Sequence, residues 1–321
     1  GFTTGKDQNT TYNGPKYLRY ANPDITWEVG SKWNLGLDLG LFNDFNMSVD
    51  LFKETRSDIF MERQSIPQFI GTSPSDRYMD LKTKLYGNLG KVENKGMDLS
   101  VDYVHSFNKD FSMSFKGTFT YATNKVLEYD EPDYLAYPNL SRVGHSINQP
   151  LLYIADRLFI DDEEVANSPA QKLGGFVQAG DIKYKDIPNA DGVCDGVINA
   201  NDRVYTGHPT VPEIVYGFGP SFQYKKWDFS FFFQGVARTS IVVGDIHPFG
   251  TDGLRNVQKF IANDYWSESN QNIYAAYPRL SKQYNQNNTV ASTYWLRNGA
   301  FLKLKDVEVG FSHKLFRVYL R

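Results

Sequence analysis

A strict two-residue alternation, sustained over about fifteen residues, constrains this chain more than any other feature. From Trp27 to Leu41 the odd positions read Trp27, Val29, Ser31, Trp33, Leu35, Leu37, Leu39 and Leu41. The even positions read Glu28, Gly30, Lys32, Asn34, Gly36, Asp38 and Gly40. Side chains of a strand point to opposite faces in turn, so this segment reads as one long strand with an apolar and a polar face. Strands of ordinary globular proteins run about five or six residues.

The pattern recurs. After a short turn at Asn43 and Asp44, Met47, Val49 and Leu51 alternate with Ser48 and Asp50. A second hairpin is expected from Met97 to Tyr103 and from Phe111 to Tyr121. A third runs from Tyr216 to Tyr224 and from Phe229 to Gly235. A last pair begins at about Phe301 and ends at Val318 to Leu320, with a phase slip near Lys305 and Asp306 that predicts a bulge. The expectation is about eight strands in four hairpins. Turns within hairpins read as about four to six residues, and long loops cover about 57–90, 124–212 and 237–293. Within the last loop, Leu254, Val257, Phe260 and Ile261 have helical spacing and predict a short surface helix over Leu254 to Trp266.

Alternation alone does not say whether the apolar face meets a protein core or lipid. The longest apolar runs are about five residues, such as Leu151 to Ala155, which excludes a transmembrane helix. A transmembrane β-strand needs only about ten alternating residues. Aromatics make up 15% of the chain. Strand length, short turns opposite long loops, and aromatics near strand ends (Trp27, Tyr103, Tyr121, Tyr224, Trp227) favour an antiparallel transmembrane β-barrel segment. The alternative is a secreted β-sandwich carbohydrate-binding module with structural calcium. A net charge of −3 argues against a nucleic-acid partner.

Chemistry is sparse. The histidines His105, His145, His208, His247 and His313 show no metal-ligand spacing, and no hydrolase, P-loop or zincin motif appears. The run Asp161 to Glu164 reads as a solvated acidic loop rather than a glycosidase carboxylate pair. The single Cys194 has no placed base. The chain is therefore not expected to be an enzyme or to carry an organic cofactor. One loop has ion-binding character. Asp191, Asp195, Gly196, Ile198 and Asp202 follow the register of an EF-hand loop, so Asp191, Asp195, Asn199 and Asp202 are candidate Ca²⁺ ligands. Val193 falls where a side-chain oxygen is needed, Asp202 is shorter than the usual Glu, and Asn189 is a further oxygen upstream. An Asx-rich turn held by its own hydrogen bonds is the other reading.

Five stretches together resemble the SusC/RagA family of TonB-linked outer-membrane transporters of Bacteroidetes. They are NPDITWE (22–28), GKVENKGMDL (90–99), GDIKYKD (180–186) running into GVINANDR (196–203), TGHPTVPE (206–213) and YWLRNGAFLKLK (294–305). They span about residues 17 to 320, and the Asp-rich loop is about four residues longer than is usual in that family. The resemblance implies that residues 1–321 are part of a 22-stranded barrel, with the plug domain absent from this chain. It implies short periplasmic turns, long extracellular loops and residence in the bacterial outer membrane. It implies nutrient uptake of oligosaccharides (glycan import) or peptides, a SusD-like surface lipoprotein as lid, and energy from TonB-ExbB-ExbD through the missing N-terminal part. Tyr134, Tyr137, Tyr274 and Tyr277 in the loops are candidates for stacking on sugar rings.

Overall fold

The computed structural model describes residues 2–4, 6–7, 10–12, 22–65, 85–244, 246–250 and 253–321. Eight long strands form one antiparallel sheet. We number them β1 (Val29–Leu41), β2 (Phe45–Glu62), β3 (Tyr86–Ser106), β4 (Phe111–Glu128), β5 (Ile214–Tyr224), β6 (Trp227–Ala237), β7 (Phe301–His313) and β8 (Phe316–Leu320). Their order in the sheet is their order in the chain, an unbroken up-and-down meander. Among the described residues no helix is long and apolar enough to cross a membrane.

The register aligns the predicted faces across the sheet. Leu37 pairs with Val49, Val49 with Leu99, Leu99 with Phe119, Phe119 with Tyr216, and Gly235 with Leu302. One residue along, the row reads Asp38, Ser48, Ser100, Thr118, Gly217, Gln234 and Lys303. The polar face is laced by hydrogen bonds and ion pairs. Ser48 Oγ donates to Asp38 at 2.6 Å, Thr120 Oγ1 donates to Asp98 at 2.6 Å, and Arg317 bridges Asp228 and Glu308. The bulge expected near Lys305 is present. Phe232 pairs with Asp306 and Phe233 with Leu304, so Lys305 is the extra residue.

Three expectations are corrected. Three of the four hairpin turns, 42–44, 225–226 and 314–315, are tighter than the expected four to six residues, while 107–110 has four. Positive φ at Phe42, Asn43 and Lys225 closes two of them. The middle strands also run further than the alternation, because β2–β4 keep their ladder where the apolar–polar alternation has lapsed. The long loops are accordingly 63–85, 129–213 and 238–300, with residues 66–84 of the first outside the described residues. Finally, only Lys259–Asn263 is helical in the stretch expected to be helix from Leu254 to Trp266. Ile261 and Trp266 are buried in a neighbouring core rather than on one helix stripe.

The location of the hydrophobic core is informative. The main cluster comprises Tyr153, Leu158, Leu173, Ile182, Tyr184, Ile198, Ile261, Trp266, Ala275, Tyr277 and Trp295. Every member lies in the two long loops. The apolar face of the sheet is uncovered: Trp33, Leu35, Leu37, Leu302 and Leu304 are each more than half exposed. Water would penalise such a continuous surface, whereas lipid would not.

Candidate functional site

The loops 129–213 and 238–300 fold into one unit above the sheet end. Short strands and cross-loop hydrogen bonds join them. Tyr153 N donates to Ala291 O, Thr293 N to Tyr153 O, Leu158 N to Ile273 O and Arg279 N to Gly180 O. A buried polar network locks the junction. Asp181, fully buried, faces Arg279 with Nε to Oδ1 at 2.7 Å. Asn288 Nδ2 donates to the same Asp181 oxygen at 2.8 Å while its own oxygen accepts from Ile182 N. Asn287 Nδ2 donates to Ile182 O, Gln171 donates to Asn287, and the Tyr184 hydroxyl donates to Asn287 O at 2.7 Å. Burial pushes the Asp181 carboxyl and the Tyr184 phenol above their ordinary pKa values. Gly180 takes φ +77°, and a Cβ there would run into the Trp266 ring. The GDIKY stretch therefore supplies a close approach and a buried charge, not a catalytic group.

A cleft of about 410 Å³ opens beside this junction, between residues 246–250 and 277–289. Arg279, Lys282, Tyr284 and Asn285 line it. The Tyr284 ring is exposed and lies 5.1 Å from that of His247. A second cleft, of about 330 Å³, lies where loop 129–213 meets the barrel and is lined by Lys95, Lys125, His208, Glu213 and Arg238 among others. There Arg238 Nε holds the buried Glu213 at 2.7 Å.

Of the four tyrosines read as candidates for either sugar stacking or loop packing, Tyr274 stands 74% exposed and Tyr134 and Tyr137 are half-buried. Tyr277 is a core residue at 5% exposure, its hydroxyl donating to Ile246 O. The acidic run at 161–164 is not simply solvated. Asp161 caps a short helix (Asp162–Ala166) by accepting from Glu164 N, and Glu164 is clamped by Arg157 and Lys183 at 2.5 and 2.7 Å. Burial opposes ionisation of Glu164, but hydrogen bonds from Arg157, Ile160 N and Lys183 prevail and hold its pKa at about 2.

The candidate calcium ligands separate. Asp202 is buried, with Oδ1 accepting from Ile187 N at 2.8 Å and Oδ2 from Asn199 N at 2.7 Å. Asn199 Oδ1 accepts from Asn201 N, Asp195 Oδ1 from Val197 N, and Asn189 Oδ1 from Asp191 N and Val193 N. Asp191 is exposed at the tip. Asp186, which the sequence reading did not select, approaches instead: its Oδ2 accepts from Gly196 N, and its Oδ1 is buried with no partner. Burial raises the Asp202 pKa, and the charges of Asp186 and Asp195 add to that. The Cys194 thiol is raised as well, by desolvation and the same carboxylates, and so is a poor nucleophile. Among the described residues no three His, Cys, Asp or Glu side chains converge as a metal cage.

Residues 1–321 match the family described as TonB dependent receptor-like, beta-barrel. TonB-dependent receptor P3 of Formosa agariphila is 24% identical over 94% of this chain and 28% of its own length. TonB-dependent receptor SusC of Bacteroides thetaiotaomicron is 25% identical over 94% of this chain and 28% of its own length. The chain thus spans under a third of these curated relatives. The RagAB peptide importer in its open-open state superposes on 93% of this chain and 31% of that chain, with TM-score 0.66 and 21% identity.

Proposed function

Because this chain belongs to the TonB-dependent receptor-like β-barrel family, we propose that it is a wall segment, with its recognition loops, of an outer-membrane nutrient importer. The observation that carries the reading is the inversion of the usual burial: the core lies in the loops, and the apolar sheet face is bare. A lipid-facing wall requires that arrangement. The polar sheet face then lines a lumen, and the loop unit stands over its mouth as the surface that meets substrate and lid.

The substrate class extends this reading. Oligosaccharides or peptides are the cargo, delivered under a SusD-like lipoprotein and admitted by TonB-ExbB-ExbD acting on a plug domain. The likeness to SusC and to the RagAB peptide importer supports this assignment. The test is partitioning. Expressed with and without detergent, the chain should fold only with detergent or lipid, and a folded, detergent-free monomer would overturn the reading.

Calcium in the loop 186–202 is a second, smaller proposal. Asp186 Oδ1, buried and unpartnered, supports it, as does the repulsion acting on Asp202. The carboxylates do not converge as they stand, so Asp191, Asp195, Asn199 and Asp202, joined by Asp186, would have to draw together around the ion. The ion would relieve like-charge repulsion and stiffen the turn.

A further inference from the structure

We propose that the cleft between residues 246–250 and 277–289 binds an anionic oligosaccharide, with one carboxylate-bearing sugar seated against Arg279, Lys282 and Tyr284. The inference deepens the importer reading and rests on it.

Charge comes first. Arg279 and Lys282 line the cleft, and no Asp or Glu is among its described lining residues; Arg279 is paired with Asp181, so Lys282 carries the charge left uncompensated. Lys282 is exposed and makes no ion pair among the described residues. Arg279 is held rigid from behind. Asp181 accepts from its Nε and Nη2, and Gln178, with its amide oxygen turned toward the guanidinium, accepts from Nη1 at 2.9 Å. A guanidinium carries more N–H donors than these contacts use, and Arg279 is among the residues that line the cleft. A planar donor edge beside an ammonium suits a carboxylate.

Neutral donors add to this. Asn285 Nδ2 is buried and has no acceptor, although its oxygen accepts from Asn287 N at 3.0 Å. A buried amide donor left unsatisfied by the protein calls for an acceptor from outside. The Tyr284 hydroxyl lies 2.9 Å from Thr289 Oγ1, which fixes the phenol at the cleft wall. Its ring, 60% exposed, offers an apolar platform.

The occupant is a sugar rather than a peptide because no strand is among the described residues that line the cleft, so an extended peptide finds no ladder there to join. The lining is instead side-chain hydroxyl and amide, from Ser281, Gln283, Asn285 and Thr289, the groups that read sugar hydroxyls.

The experiment is calorimetric titration of the complete receptor in detergent with tetragalacturonate, maltotetraose and tetraglutamate. Tetragalacturonate is expected to bind, more weakly as salt rises. Lys282→Glu, a surface change, should weaken it by about tenfold or more, and Tyr284→Ala should weaken it too. Maltotetraose and tetraglutamate should bind far less well. Undetectable tetragalacturonate binding, binding unchanged by Lys282→Glu, or equal binding of either other probe would overturn the proposal. Those failures would leave the importer reading intact, because membrane partitioning tests it separately.

Discussion

Lys53 and Lys95 stand directly opposite each other on β2 and β3, on the face whose next four rungs are entirely apolar. Those rungs pair Leu51 with Met97, Val49 with Leu99, Met47 with Val101 and Phe45 with Tyr103. The like charges are tolerated because Glu93 reaches Lys53 at 2.8 Å. At ~3.4 Å per residue, Phe45 to Leu51 spans about 20 Å, close to the roughly 25 Å apolar band of outer-membrane barrels. The lysines thus mark where hydrocarbon gives way to headgroups, and Trp33, paired with Lys53, belongs to the same rim. Beyond it β2 and β3 continue without an unbroken apolar face: Thr55 pairs with Glu93, Glu54 with Asn94, and the Phe60 and Tyr86 rings stack at 5.1 Å.

A mid-belt charge should therefore be costly and its lumenal neighbour cheap. Leu99→Arg is expected to destabilise the receptor in lipid vesicles by about 2–4 kcal/mol, and Ser100→Arg by well under half of that. Urea titration of vesicle-reconstituted protein measures both.

The Asp181–Arg279 pair links positions 98 residues apart and joins the two long loops. Arg279→Ala would leave a buried carboxylate without its cation and cost about 3–5 kcal/mol in the loop unit. Hydrogen exchange should rise at Ile182 and Tyr184, while the barrel ladder between β2 and β3 stays protected.

Glu164 sets an acid limit. Its folded pKa of about 2 lies below the ordinary 4.5, so the stability it confers is fully present above 4.5 and is lost as pH falls from there toward 2. Glu164→Gln should flatten the pH dependence of loop unfolding across that window. Asp202 acts with the opposite sign. Its raised pKa contributes stability at low pH that fades as pH rises through the folded value.

Gly180→Ala tests the close approach to Trp266. Positive φ and the Cβ collision act together, and the loop unit should lose about 2 kcal/mol or more. Thermal unfolding followed by near-ultraviolet circular dichroism reads this directly.

Calcium should raise the thermal midpoint of the loop unit relative to EDTA, and Asp186→Asn should abolish the difference. Equal midpoints with calcium and EDTA would remove the ion from the account.

The strands and the loop unit were not equally legible in sequence. Alternation in Trp27–Leu41 and Phe111–Tyr121 reports one face against the other, so those strands, their pairing order and the Lys305 bulge were readable. The ends of β2 and β3 were not, because past Lys53 and Lys95 the alternation lapses, with Ile59, Phe60 and Met61 apolar in succession. Tyr277 looked like a loop aromatic, and only folding shows it beneath Trp295, ring centroids 5.7 Å apart. The cleft was invisible for a different reason. Its charge depends on Asp181 being consumed by Arg279, a contact that no local pattern encodes. The EF-hand-like register put Asp195 and Asp202 in one loop but gave no sign of Asp186, whose approach to Gly196 depends on where the turn folds back.

The most direct test of the central claim is spin-label accessibility at single positions of the receptor in lipid vesicles. Labels at Leu37, Leu99 and Phe119 should be reached by oxygen dissolved in lipid and shielded from a water-soluble nickel complex. Labels at Asp38, Ser100 and Thr118 should show the reverse. The same accessibility on both rows, or nickel access at Leu99, would contradict a lipid-facing wall.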